Sequence, residues 1–395
     1  MNTTASVAEE HHQAELQVEQ HDSHDRLLMA VEPAARARVD AIIVPTNREP
    51  AYLTQAVSLA RRLDATLVVL CSGAADPGKT KELAAGLDLV VVDVTALPAR
   101  VLPPFDTTKL IATTDFVRHT DTSLKRNLGL VIARLMAWER IAFLDDDITV
   151  PDPEDLELAA GAVTGSVSAV GLRVGGFPDN SVVCHAKRET GGKQGTFIGG
   201  GALVVGHEST ESFFPTIYNE DWFFLLDEVG LRGSALVGSV AQKPYDPFAN
   251  DTRARVEEFG DTLAEGVFAL LDEGRYEEST DLGYWQGFLR ARLDLIDEIL
   301  DRVRGGVRGD DGQPMPEKTA HRMELSLMAA RKQCEAITPD LCVEYLKALR
   351  ADRERWRDHV QRLGRRHGWR ISGAEHVLGV LGLTECAEYV PGNHA

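Results

Sequence analysis

Three consecutive carboxylates at the end of an apolar run are the residues of this chain best placed to do chemistry. In Ile141-Ala142-Phe143-Leu144-Asp145-Asp146-Asp147 the apolar residues enter a sheet. The acids then emerge together at its carboxyl edge, the side on which open α/β sheets bind ligands. Such crowding calls for a cation. A divalent ion with oxygen ligands would relieve the repulsion and bridge two phosphates, helping a diphosphate to leave. A solvated acidic turn, or a helix cap ahead of Pro151, is the plainer alternative. Three other stretches carry polar groups in suggestive order: Val44-Pro45-Thr46-Asn47-Arg48, Arg126-Asn127-Leu128-Gly129 and Asn219-Glu220-Asp221-Trp222. Between the last two lies Gly199-Gly200-Gly201, where absent side chains let a ligand approach the backbone or simply mark close packing.

In this order the motifs resemble the family 2 glycosyltransferases of the GT-A fold. That family shows an opening strand ending in a Pro-Thr turn, an Arg-Asn-x-Gly helix start, a Phe-Leu-Asp-x-Asp strand end and a later Glu-Asp pair. The resemblance covers about residues 40 to 245. It implies a Rossmann-like domain with a mostly parallel mixed sheet, and a metal-dependent transfer of a hexosyl group from a UDP- or GDP-sugar to an unidentified acceptor hydroxyl, with inversion. Asp147 and Asp145 would hold Mn²⁺ or Mg²⁺, with Asp145 and Asp146 also beside the donor. Pro45, Thr46, Arg48 and Ser72 would line the nucleotide, and Arg126 and Asn127 its ribose and diphosphate. Gly199, Gly200, Glu220 and Trp222 would border donor sugar and acceptor, and Asp221 would be the general base. His185, His207 and Asp246 are candidates for a third metal ligand. Two features depart from the family pattern. The second strand ends in Cys71-Ser72-Gly73 rather than an aspartate-rich turn, and no Gln-x-x-Arg-Trp sequence occurs, which argues against a processive polysaccharide synthase.

A rival reading starts from Gly73-Ala74-Ala75-Asp76-Pro77-Gly78-Lys79-Thr80. This matches the P-loop pattern after an expected strand, with Asp145 and Asp146 as the acidic strand end of a nucleotide triphosphatase or kinase. Against it, Gly86 ends the following helical stretch after about two turns, and a whole βα unit precedes the loop. The loop at the same sheet edge would otherwise be free to touch donor phosphate. Asp145 to Thr149 also fits an Asp-x-Asp-x-Thr phosphatase pattern, with Gly309-Asp310-Asp311 as a later acidic motif, but that nucleophile usually opens its domain. A non-enzymatic scaffold on a sugar-nucleotide fold is the last alternative.

The elements that must position these groups follow from periodicity. Strands are expected at Ala41 to Val44, Thr66 to Cys71, Leu87 to Val94, Ile141 to Leu144, Val167 to Val174, Phe197 to Val205 and Ala235 to Val240. Among them Leu53, Val57, Ala60 and Leu63 share one helical face, and Leu128, Ile132 and Leu135 another. Beyond about Thr252 the strands stop, and long amphipathic segments follow at 253–271, 282–303, 317–336 and 342–363, with 305–316 as a loop. The expected division is a flexible tail over 1–35, carrying His11, His12, His21 and His24, a catalytic domain over 36–250 and an α-helical domain over 251–395.

Composition limits the partners. The 395 residues carry a formal charge of −19, which repels nucleic acid. The 5 cysteines are scattered without metal-binding spacing, and are read as reduced thiols. No apolar run is long enough for an integral membrane segment and no secretory signal is visible, so a cytoplasmic location is expected. The stripe Trp285, Phe288, Leu289, Leu293 offers a homodimer surface or an internal core. The arginine-rich run 350–370 could touch phosphates or lipid headgroups, but interleaved Asp352, Glu354 and Asp358 favour a salt-bridged solvated helix.

Overall fold

The computed structural model describes residues 21–32, 35–177, 180–306, 314–367 and 373–393. His11, His12 and most of the expected 305–316 loop, with Gly309-Asp310-Asp311, lie outside the described residues. Among the described ones are nine strands: β1 (Ala41–Thr46), β2 (Thr66–Cys71), β3 (Leu89–Asp93), β4 (Arg140–Leu144), β5 (Ile148–Thr149), β6 (Ala169–Gly176), β7 (Ala202–Gly206), β8 (Ser234–Gln242) and β9 (Ala387–Val390). The first helices are α1 (Thr54–Leu63), α2 (Pro77–Leu83), α3 (Asp106–Ile111), α4 (Thr122–Met136), α5 (Glu154–Ala162), α6 (Val182–Glu189) and α7 (Glu220–Phe224). Five more follow the last long strand: α8 (Thr252–Asp272), α9 (Leu282–Arg304), α10 (Glu317–Ala336), α11 (Pro339–His367) and α12 (Ala374–Leu381).

All nine strands form one mixed sheet in the order β5-β8-β6-β7-β4-β1-β2-β3-β9. The block β4-β1-β2-β3 is parallel. Alternation of side chains across a strand sends Ile42 and Val44 of β1 into one apolar layer, with α1 and α5, and Ala41 and Ile43 into the other, with α4, α8, α9 and α11. Both layers are covered, which explains why these strands read as unbroken aliphatic runs. The chain leaves β1 for β2 and β3 on one side and returns to β4 on the other. A crevice therefore opens outside the carboxyl ends of β1 and β4, where the strand order reverses. Gly129 seats α4 against this point: a Cβ there would stand 2.9 Å from Ile43 Cγ2.

Three expectations give way. The strands do not stop at Thr252, because β9 pairs antiparallel with β3 and closes that edge; four residues after a short helix carry too weak a periodic signal to be read. The expected strand from Phe197 begins only at Ala202, since 197–201 leaves the ladder at the triple glycine. The stripe proposed for a homodimer is internal: Trp285, Phe288 and Leu289 are buried in the core shared with the sheet, and the Trp285 ring lies against Gly266, where a Cβ would meet it at 2.5 Å.

Residues 21–32, expected in a solvated tail, are packed. His24 is 3% exposed and sits between Glu265, at 3.2 Å, and Asp272, with its ring edge-on to Trp222. Asp22 accepts from Gly195 N at 2.5 Å and pairs with Lys187 at 2.7 Å. The sequence hid this because the packing is polar rather than periodic. Burial works against the His24 charge, but Asp272 and Glu265 prevail and raise its pKa from 6.5 to about 9. A group whose folded pKa is raised stabilises fully below its unfolded pKa and loses that contribution as pH rises through the folded one. The stability advantage of wild type over His24→Gln should therefore shrink by about 3 kcal/mol between about pH 6 and about pH 10, measured by urea unfolding across that range.

Candidate functional site

The crevice at β1 and β4 is continuous with a cleft of about 510 Å³ lined by Arg48, Arg126, Asp145, Asp147, Asp221 and Trp222, among others. A smaller adjoining recess of about 190 Å³ holds Pro45, Thr46, Lys125 and Asp146. The acidic triplet is pinned between two strand ends. Asp145 N donates to Gly201 O at 2.9 Å, a turn closes from Ile148 N to Asp145 O at 3.1 Å, and β5 then pairs with β8. This turn gives the three acids different surroundings.

Asp146 is tied down, accepting from Thr46 Oγ1 at 2.6 Å and from Arg48 Nη1 at 2.5 Å. Its side chain is only 7% exposed, so it orients the β1 turn rather than facing a ligand. Asp145 and Asp147 line the cleft, with side chains 33% and 23% exposed. Arg126 Nη2 reaches both Asp145 oxygens, at 3.0 and 3.1 Å, and Arg48 Nη2 reaches Asp147 at 3.0 Å. Burial raises the pKa of Asp145, Arg126 opposes the rise and Asp147 adds to it. The like-charge term between the two acids marks a place where a hard cation would be favoured, and their donors are oxygens, as Mn²⁺ or Mg²⁺ requires.

Arg126 is 3% exposed and joins both sides of the cleft, since its Nη1 donates to Glu220 at 2.8 Å. Glu220 also accepts from Arg118 at 3.0 Å. It opens α7 directly after Asn219, which takes the left-handed φ of +59°. The next residue, Asp221, accepts from Gly200 N at 2.5 Å and from Trp222 N at 2.9 Å. The triple glycine is the partition between the two carboxylate sites. A Cβ on Gly200 would lie 2.5 Å from Arg126 Nη1, and one on Gly201 would lie 3.0 Å from Asp145 Oδ2. Close packing accounts for these two glycines, while Gly199 lies open toward Asp221, 4.0 Å away.

The other expected residues are placed as follows. Trp222 packs on Phe268, with ring centroids 4.6 Å apart, while also lining the cleft. Ser72 accepts from Lys125 Nζ at 2.7 Å, and the same ammonium bonds Thr46 O at 2.8 Å. Asn127 is 1% exposed, and its amide is spent on both backbone groups of Phe214, so it holds α4 in place without lining the cleft. The candidates for a third metal ligand are engaged elsewhere. His185 bonds Tyr245 at 2.9 Å, with burial pushing its pKa down to about 3. His207 bonds Trp138 O at 3.1 Å, and Asp246 pairs with Arg322 at 2.5 Å.

The Gly73–Thr80 loop does not form a phosphate cradle. Its amides at Ala74, Ala75, Lys79 and Thr80 are bonded to Asn47 O, Ser72 O, the Asp76 side chain and Asp76 O. The Thr80 hydroxyl is buried on Asp76 O at 2.8 Å. Asp76 acts as an ordinary N-cap with Pro77 in the first turn of α2.

Sequence reading missed the floor of the cleft. Glu257, Asp261 and Glu265 recur every four residues along α8 and are buried. That spacing in an otherwise apolar helix was the available signal. Arg253 holds Glu257 at 2.5 Å, Arg292 holds Asp261 at 2.6 Å, and His24 holds Glu265. Burial raises Glu257 to about 7 against the pull of Arg253. Cys184, Asp261 and Glu265 bring ligand atoms within 4.8 Å of one another. Burial raises the Cys184 thiol well above its usual range, so the cluster lacks the thiolate that a divalent ion would need as its third ligand.

No protein-family model matches this chain, and no curated protein matches it. No helix among the described residues is long and apolar enough to cross a membrane.

Gly200→Ala should lower stability by about 1–3 kcal/mol, because the added methyl meets a buried, bonded guanidinium. Gly165→Ala, with nothing within 4 Å, should be near neutral in the same urea titration.

Proposed function

We propose that the chain is a GT-A-like glycosyltransferase that moves a sugar from a nucleoside diphosphate, UDP or GDP, to an acceptor hydroxyl. One observation carries this reading: Asp145, Asp147 and Asp221 line a single cleft at the carboxyl edge of β1 and β4, with only the glycine strip between the two sites. The parallel block and the reversal of strand order beside it are consistent with a Rossmann-like nucleotide site.

Asp145 and Asp147 would hold Mn²⁺ or Mg²⁺, which supplies charge stabilisation to the departing diphosphate. The protein's own cations act in the same direction. Arg48 borders both the cleft and the recess, and Lys125, 2% exposed, borders the recess beside Thr46. Arg48 is paired with Asp146 and Asp147, and Lys125 with Asp121 at 2.8 Å, so they would offset only part of the negative charge that grows as the anomeric carbon–oxygen bond breaks, and the metal would supply the rest. The acceptor oxygen forms the new bond to that carbon and gives its proton to Asp221. Glu220 is the poorer candidate, because its two oxygens are held in ion pairs by the Arg118 and Arg126 guanidiniums, whereas those of Asp221 accept from the backbone amides of Gly200 and Trp222. With Asp221 as the base, direct displacement with inversion is the expected course.

The buried α8 carboxylates extend the cleft beyond Asp221 and give the acceptor a lining of hydrogen-bond acceptors suited to hydroxyl groups. Release of nucleoside diphosphate from a panel of UDP- and GDP-sugars, with and without Mn²⁺, tests the reading. Wild type should turn over at least one donor, and Asp221→Asn should retain donor binding while losing about 10²–10⁴-fold in rate. Near-normal turnover by a folded Asp221→Asn would remove Asp221 as the base.

A further inference from the structure

We infer that residues 97–104 and the C-terminal half of α11 form a docking face for a membrane surface that contains anionic phospholipid. This face lies outside the cleft and does not depend on the glycosyltransferase reading. An apolar groove of about 910 Å³ runs between Leu97, Val101, Leu102 and Leu124 on one side and Arg355, His359 and Arg362 on the other. It continues along α11 past Leu363, Arg365 and Arg366. Leu124 is 38% exposed, and the His359 Nε2 is a buried ring nitrogen with no partner.

The arginine run of α11 divides in two. Its first half is used internally: Arg353 donates to Phe223 O and Asp227 O, Arg355 pairs with Asp106 and Asp352, and Arg357 pairs with Glu228. Its second half is not. Arg362, Arg365 and Arg366 are exposed, as is Arg100 across the groove, and among the described residues none of the four has a carboxylate partner. Over 358–367 three arginines stand against one aspartate, in a chain of net charge −19. This is a local reversal of sign around an apolar groove in which Leu124 is exposed while Leu97, Leu102 and Leu363 are half-buried against the core.

That combination matches a leaflet better than an acidic protein. The arginines present charge with no carboxylate fixing them, Arg365 being bonded only to Gln361 of its own helix, and the exposed Leu124 can enter a leaflet without needing a complementary shape. Each basic residue near an anionic leaflet strengthens partitioning about fivefold, so four amount to several hundredfold at low salt. The negative remainder of the molecule is repelled, which leaves this face as the one that docks. The groove adjoins the cleft through α4, since Leu124 lies in the groove while Thr122 and Lys125 border the recess.

The test is co-sedimentation of the full chain with phosphatidylcholine vesicles and with vesicles carrying about one-third phosphatidylglycerol. Binding is expected to the anionic vesicles alone, to be lost at about 0.5 M salt, and to persist in millimolar inorganic phosphate. The variant Arg362→Ala/Arg365→Ala/Arg366→Ala should bind about a hundredfold more weakly, and Leu124→Glu should weaken binding as well. Both should melt within a few degrees of wild type, since among the described residues the only hydrogen bond from these side chains is the exposed one from Arg365 to Gln361 of the same helix. Equal binding to both vesicle types, or anionic binding unchanged in the triple variant, would overturn the inference. Full competition by inorganic phosphate would overturn it in favour of a single-anion site, and a dimer lost in the triple variant without vesicle binding would overturn it in favour of a second copy of the chain.

Discussion

Charge buried beside charge governs the centre of this molecule. Arg126 sits at 3% exposure between Asp145 on the β4 turn and Glu220 at the start of α7. A guanidinium taken out of water must be paired at both ends or it destabilises the fold. This requirement fixes the spacing of three elements that are far apart in sequence. Asp145 is held in place, and Asp221, one residue beyond Glu220, is carried to the lining of the same cleft. Gly200 and Gly201 follow from the same constraint, since a side chain at either position would enter the space the ion pairs occupy.

The helical region extends this polar interior rather than standing beside it. The buried carboxylates of α8 are each met by a cation: Glu257 by Arg253 of the same helix, Glu258 and Asp261 by Arg292 from α9, and Glu265 by His24 from a segment ahead of β1. Trp285 and Trp356 lie in the same apolar cluster as Ile43 and Phe143 of the sheet. Asp352 of α11 receives the first amides of α3 at 2.8 Å. The chain then returns to the sheet as β9, so helical and sheet parts share one core.

What was legible in the sequence is what periodicity and motif order encode. The aliphatic runs of β1 to β4 announce a covered parallel block, and the acids after Leu144 fall at its carboxyl edge as expected. The four long C-terminal helices were readable from their apolar faces. Structure settled by polar side chains was not readable in this way. The packing of His24 depends on Glu265 and Asp272, more than 200 residues distant in sequence, and Asp261 on the α8 ladder depends on Arg292 of another helix. The P-loop pattern shows the opposite case, in which a local match of residue types does not survive because the loop amides bond to Asn47, Ser72 and Asp76. The arginine run was half right: its first part is the ion-paired helix expected, and among the described residues Arg362, Arg365 and Arg366 have no carboxylate partner.

The central claim is that Asp145 and Asp147 form the metal-dependent end of a nucleoside diphosphate site. It is tested most directly by calorimetric titration of UDP, GDP and ATP, each with and without Mn²⁺, into wild type and Asp147→Ala. The account predicts tight, Mn²⁺-dependent binding of UDP or GDP that Asp147→Ala loses and Lys79→Ala retains. Metal-dependent preference for ATP that is abolished by Lys79→Ala and kept by Asp147→Ala would contradict it.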